Sequence, residues 1–130
     1  MHFVPITSLY AGLLGLLLLA LSLWVIGFRW ARKVGIGHDG SREMQRAIRV
    51  HGNFTEYVPL AVILMALNEL GGESPLLIHT MGGLLLIGRL LHALGLARNS
   101  GVSAGRFLGT TVTFGSLGLG AVLCILRGLG

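Results

Sequence analysis

The part of this chain richest in chemistry is residues 42–60, REMQRAIRVHGNFTEYVPL. Placed on a helix at about 100° per residue, Arg42, Arg46, Arg49, Asn53 and Glu56 fall within a sector of about 80°. Arginine forks grip carboxylates in bidentate fashion. A carboxylate such as Glu56 can hold an ammonium, and Asn53 can both donate to and accept from a peptide group. A small peptide carrying both charge signs matches this set. On spacing alone, an Arg49–Glu56 or Arg46–Glu56 ion-pair network that only fixes helix packing is the other reading. Pro59 follows the stripe, frees the carbonyl of Thr55 and predicts a kink.

The elements that carry this stripe are membrane helices. Hydrophobic residues make up 53% of the 130 positions and charged residues 12%, roughly half the charged share of an ordinary soluble domain. A soluble protein of this size needs a charged shell, and these residues cannot supply one. Four apolar runs are long enough to span a bilayer, at about 4–28, 43–70, 75–96 and 104–127. They are continuous rather than alternating and too few to close a barrel, which excludes strands. The reading is a single all-α unit over residues 1–130, an integral membrane four-helix bundle. The formal charge of +5 does not point to nucleic acid, because the basic residues lie between apolar runs rather than on a soluble face.

Loop charge predicts the orientation. Arg29, Arg32, Lys33, Arg42 and Arg46 cluster between the first two spans, and Arg89, Arg98 and Arg106 between the last two. The connection between the second and third has Glu69 and Glu73 and no Lys or Arg. The positive-inside rule puts the 1–2 and 3–4 loops in the cytosol and both termini outside, in the periplasm of a bacterium. The N-terminus lacks a basic n-region and a cleavage site, so the first span is expected to stay in the protein. Small residues recur at Gly82, Gly83 and Gly88, at the Gly105–Gly109 GxxxG spacing, and at Gly115, Gly118 and Gly120. They predict close helix contacts, either within one bundle or between subunits.

Other motifs carry less. GIGHDG at 35–40 matches G-x-G-x-x-G but follows a membrane helix rather than a strand, so it reads as a turn on His38-Asp39-Gly40. Asn53-Phe54-Thr55 matches a glycosylation acceptor inside a cytosol-facing helix and is discarded. Cys124 is the only cysteine and reads as a small buried hydrophobe. His79 reads as structural, and His38 with Asp39 offers too few ligands for a metal site.

The pattern R-x-x-x-N-x-x-E-Y-x-P, here Arg49, Asn53, Glu56, Tyr57 and Pro59, resembles the second-helix signature of the MAPEG family, the membrane-associated proteins in eicosanoid and glutathione metabolism. Length, four-helix layout and loop charge are similar over the whole chain, most of all to the short bacterial branch related to microsomal glutathione transferases. The resemblance implies a homotrimer in a bacterial inner membrane, with glutathione as co-substrate bound between neighbouring subunits near the cytosolic side. Arg49, Asn53, Glu56 and Tyr57 would contact glutathione, and Arg46 and His51 occupy neighbouring positions. Arg89 matches another family arginine. Arg106 is the best match to the catalytic arginine at the start of the fourth helix, after a shift of about two residues, with Arg98 as runner-up. Where the eicosanoid enzymes carry late third-helix tyrosines, this chain has His92 and Leu96. His92 would replace one hydrogen bond, and leukotriene synthesis is not implied.

The implied activity is conjugation of glutathione thiolate to lipophilic electrophiles, or reduction of lipid hydroperoxides. An arginine beside the sulfur would favour the thiolate. No protein nucleophile is needed. Two alternatives remain. One is a trimer that binds lipid without catalysis. The other is a small proton-coupled transporter, for which Glu56 would be the membrane acid.

Overall fold

The computed structural model describes residues 3–98 and 103–130. Four helices follow in order: α1 Pro5–Arg32, α2 Arg42–Leu70, α3 Pro75–Arg98 and α4 Ala104–Leu129. Each is long and apolar enough to cross a membrane. The starts match the sequence reading within a residue. Helix α1 runs four residues further than expected, because Arg29 and Arg32 belong in a last turn, where basic side chains meet free carbonyls. Lys33 then closes the helix in the left-handed conformation, at φ 54°.

Among the described residues α1 packs on α2 and α3, and α4 packs on α2 and α3, while α1 and α4 do not meet. The middle pair therefore separates two outer helices. The buried core joins Leu14 and Leu21 of α1, Val50, Phe54, Val58, Ala61 and Met65 of α2, and Ile78, Met81 and Leu85 of α3. Most other large apolar side chains face outward, Leu16, Leu23, Ile63, Leu67 and Ile125 among them. That is the surface a bilayer solvates.

The closest seam lies between α3 and α4, and glycine makes it possible. A Cβ on Gly109 would stand 2.6 Å from the carbonyl oxygen of Gly88. One on Gly105 would stand 3.2 Å from the Cα of Gly95. The GxxxG pair thus packs inside the protomer, as small residues permit where lipid gives no drive to associate. Gly115 and Gly118 behave differently, with nothing within 4 Å of either Cβ position.

Polar clamps tie the helix ends. Val4 gives α1 no side-chain cap. The Glu69 carboxylate does it instead, accepting the N–H of Ile6 at 2.9 Å and of Thr7 at 2.7 Å. Arg127 donates to the carbonyl of Asn68 at 3.2 Å and pairs with Glu73 at 2.8 Å, fastening the end of α4 to the end of α2. Tyr10 and His79 share a hydrogen bond at 3.2 Å, joining α1 to α3. Asn68 is buried and donates to the Gly120 carbonyl at 3.0 Å. Cys124 lies beside it, with its Sγ 3.2 Å from the Asn68 amide.

At the opposite end, the 33–41 connection is a turn. Gly37 and Gly40 take φ of 74° and 85°, and His38 Nδ1 accepts the N–H of Gly40 at 3.0 Å. Asp39 accepts the Ser41 N–H at 2.9 Å and pairs with Arg32 at 2.6 Å. The Ser41 hydroxyl and the Arg32 guanidinium hold its carboxyl well below the usual carboxylate range. Ser41 in turn caps α2 by accepting from the Met44 N–H. The 35–40 segment is thus built for a reversal of the chain.

Candidate functional site

Ser41 starts α2 and Ser103 starts α4, so both helices begin at the same end of the bundle and expose their first turns there. Ser103 accepts the Arg106 N–H at 3.3 Å and donates to the Gly95 carbonyl at 3.3 Å. The Gly95–Gly105 approach then draws the first turn of α4 onto α3. These contacts carry Arg106 to the stripe on α2.

Two adjoining cavities result. One, of about 290 Å³, is lined by Arg49, Asn53, His92, Ser103, Arg106, Phe107 and Thr110. The other, of about 410 Å³, is lined by Arg42, Gln45, Arg46, Arg49, Leu96 and Arg106. Arg49 and Arg106 belong to both, so the pair forms one cleft that draws an arginine from α2 and another from α4. No carboxylate stands among these lining residues. Such a surface attracts an anion and offers it forked donors.

Arg49 pairs with Glu56 at 3.3 Å, both exposed, which is one of the two ion pairs the spacing allows, and Glu56 lines neither cavity. Arg46 donates from Nε to the Arg42 carbonyl at 3.3 Å and lines the outer cavity. Tyr57 lies edge-on to Phe114, with ring centroids 5.3 Å apart, so its body is spent between α2 and α4. His92 is buried and lies within electrostatic reach of Arg89, Arg106 and Arg49. Leu96 is buried and lines the outer cavity. Arg98 is exposed at the end of α3 and lines neither cavity.

Arg89 is the surprise. The sequence counts it among the positive charges of the 3–4 side and, within the 75–96 span, matches it to a family arginine; it lies inside α3 with 2% of its surface exposed. It donates from Nη1 to Asn53 Oδ1 at 2.6 Å and from Nε to Thr113 Oγ1 at 3.1 Å. Its Nη2 has no partner among the described residues. It lines neither cavity and touches the cleft through Asn53.

His51 is not with the arginine stripe. It bonds Ser22 of α1 at 3.1 Å, on the other side of α2. There it helps line a separate cavity of about 320 Å³, with Ser22, Val25, Ile26, Arg29 and Ile48. The helical period already puts His51 about 180° from Arg42. Its neighbour Arg29 was read from sequence only as loop charge, and no local pattern marks it as part of a cavity. Further along the same α1–α2 seam lies an apolar cavity of about 310 Å³ that includes Leu14, Leu18, Phe54, Val58, Pro59 and Val62. Among the described residues no three His, Cys, Asp or Glu side chains gather as metal ligands would.

This arrangement of four membrane helices with an arginine, asparagine and glutamate stripe on the second has a known home. The chain belongs to the MAPEG family, whose sequence pattern matches residues 7–126. It is 41% identical over 105 residues to the inner membrane protein YecN of Escherichia coli strain K12, covering 76% of this chain and 80% of the relative. The YecN protein of Escherichia coli O6:H1 matches to the same extent. With four spans and relatives of this kind, the chain is a multi-pass protein of a bacterial inner membrane.

Proposed function

We propose that this protein is a membrane-bound glutathione transferase or peroxidase that works as a homotrimer. The observation that carries the reading is the convergence of Arg49, Asn53, His92 and Arg106 on one cleft from three different helices. Glutathione carries two carboxylates, an ammonium and two peptide groups. Arg49 and Arg46 suit its carboxylates, Glu56 its ammonium, and Asn53 a peptide or carboxylate oxygen. Arg106, in the first turn of α4, sits where a guanidinium and a helix N-terminus both favour an anion. A thiol pKa near 8.5 falls beside such charge, and each unit corresponds to about 1.4 kcal/mol. The thiolate then attacks a lipophilic electrophile delivered through the bilayer, or, with a second glutathione, reduces a hydroperoxide to the alcohol and water while the two glutathiones form a disulfide.

The trimer explains why the site residues fall on two sides of α2. In a ring, one edge of each protomer meets the other edge of the next. The Arg49–Arg106 edge of one subunit would then face the Ser22–Arg29–His51 edge of its neighbour, and His51 would reach the ligand from across the interface. The exposed side of α4 at Gly115 and Gly118 suits close approach of another helix. The basic ends of α1 and α2 and the first turn of α4 lie in the cytosol in this reading, with both termini periplasmic. That side of the membrane is where a cytosolic peptide thiol is available.

A lipid-binding trimer without catalysis is the second reading, favoured by the apolar α1–α2 cavity, whose lining suits an acyl chain. A proton-coupled transporter has less support, because α1 carries no acid and Glu56 lies beside an arginine. Adding glutathione to the purified protein separates the first two readings. The enzyme produces the ultraviolet thiolate band, and that band is lost in Arg106→Ala. Absence of the band in the wild type, with lipid bound, favours the non-catalytic trimer.

A further inference from the structure

We propose that Arg89 is a positioning residue that locks the Asn53 side-chain amide so that only its NH2 group faces the cleft, making Asn53 an obligate donor to an acidic or carbonyl oxygen of the ligand. This rests on the reading of the cleft as a glutathione site and adds how one of its side chains is oriented.

An asparagine amide has an accepting end and a donating end, and by itself it can present either to a ligand. A guanidinium only donates. With Arg89 Nη1 at 2.6 Å, the nearby end of Asn53 must be Oδ1, so Nδ2 points the other way. Asn53 is one of the residues lining the inner cavity, while Arg89 is 2% exposed and lines none of it. Arg89 is itself held by Thr113 Oγ1 at 3.1 Å, and Thr113 is anchored by its own bond to the Gly109 carbonyl at 2.8 Å. The chain Gly109, Thr113, Arg89, Asn53 thus runs from the glycine seam of α3 and α4 to the cleft. Among the described residues no carboxylate pairs with Arg89. A buried cation without a counter-ion is costly, and it polarises the amide it touches. An anionic oxygen on Nδ2 answers that charge through the amide. The cleft is thereby tuned to acceptors and rejects a ligand that offers a donor at this point.

A double-mutant cycle tests this on the detergent-solubilised protein, with the dissociation constant for glutathione read by calorimetry and the assembly checked by gel filtration. Arg89→Lys keeps the charge and loses the fork. It should weaken glutathione about tenfold in the wild-type background, and less than twofold when Asn53 is already alanine. Asn53→Asp keeps the bond to Arg89 but replaces the donor by an acceptor, and should lose at least as much as Asn53→Ala. Additive losses for Arg89→Lys and Asn53→Ala would mean that Arg89 meets the ligand itself, and would overturn the proposal, as would an Arg89→Lys protein of unchanged affinity. If Arg89→Lys does not assemble, Thr113→Val removes the other anchor and should show the same dependence on Asn53. A wild type that binds no glutathione defeats the functional reading, and the locking is then judged without ligand. The side-chain amide 15N resonance of Asn53, assigned by its loss in Asn53→Ala, should move in Arg89→Lys. An unmoved resonance overturns the locking.

Discussion

Arg49 of α2 and Arg106 of α4 line both cavities of a single cleft, although α3 and the 3–4 connection separate them along the chain. Two guanidiniums from different helices, with no acid among the lining residues, give the cleft a surface that attracts anions. The distinction between them is depth in a helix. Arg49 lies two turns into α2, whereas Arg106 lies in the first turn of α4, where backbone N–H groups add to its field.

That difference sets the first prediction. Arg106→Ala should leave the trimer and glutathione binding largely intact and lower conjugation of a model electrophile by roughly a hundredfold, the scale of one lost charge-stabilising donor. Arg98→Ala should leave turnover unchanged. Equal turnover for Arg106→Ala and the wild type would remove Arg106 from the thiolate.

Glutathione affinity should fall in Asn53→Ala and in Glu56→Ala. Each loses a hydrogen bond or ion pair to the peptide of about 1–2 kcal/mol, roughly tenfold in dissociation constant. Calorimetry reads this, and unaltered affinity in both would dismiss the α2 stripe as a binding surface.

Glu69 makes a stability prediction away from the cleft. Among the described residues it is the only side chain capping the first turn of α1, so Glu69→Gln should cost about 1 kcal/mol and lower the unfolding temperature in detergent. Conjugation at permissive temperature should persist. An unchanged unfolding temperature would show that the cap contributes nothing.

The two classes of glycine should separate on substitution. Gly109→Ala forces a Cβ to 2.6 Å from the Gly88 carbonyl and should destabilise the protomer by about 1–3 kcal/mol. Gly115→Ala and Gly118→Ala meet open space within the protomer and should leave its unfolding unchanged. Any effect they have should appear as a shift in oligomer size, read by light scattering.

Asp39 governs the pH behaviour of the α1–α2 turn. Its carboxyl titrates below the ordinary value near 3.9, so its contribution is present above that value and is lost as pH falls through its depressed folded-state range. Protease cleavage within 33–41 should stay constant above the ordinary carboxylate value and rise as pH falls below it toward the depressed folded-state range. Asp39→Asn should raise cleavage at neutral pH and abolish the dependence.

Much of this architecture is legible in the sequence for simple reasons. Span length and the absence of charge locate four helices, and the 3.6-residue period places Arg42, Arg46, Arg49, Asn53 and Glu56 together. The same period separates His51 from them, a signal that adjacency in sequence obscures. Other features depend on tertiary partners that local sequence does not encode. Glu69 looks like loop charge until Ile6 and Thr7 arrive from the far end of α1. Arg89 falls within the third span in the sequence, but its burial emerges only when Asn53 and Thr113 close around it. The glycines look alike in sequence, and only the approach of α3 to α4 divides them into a seam and an open face.

The most direct measurement is a structure determined with glutathione at saturating concentration. The peptide should lie in the cavity lined by Arg49, Asn53, His92 and Arg106, with an oxygen on the Asn53 amide nitrogen and the sulfur toward Arg106. Glutathione bound elsewhere, or an empty cleft under those conditions, would contradict this reading.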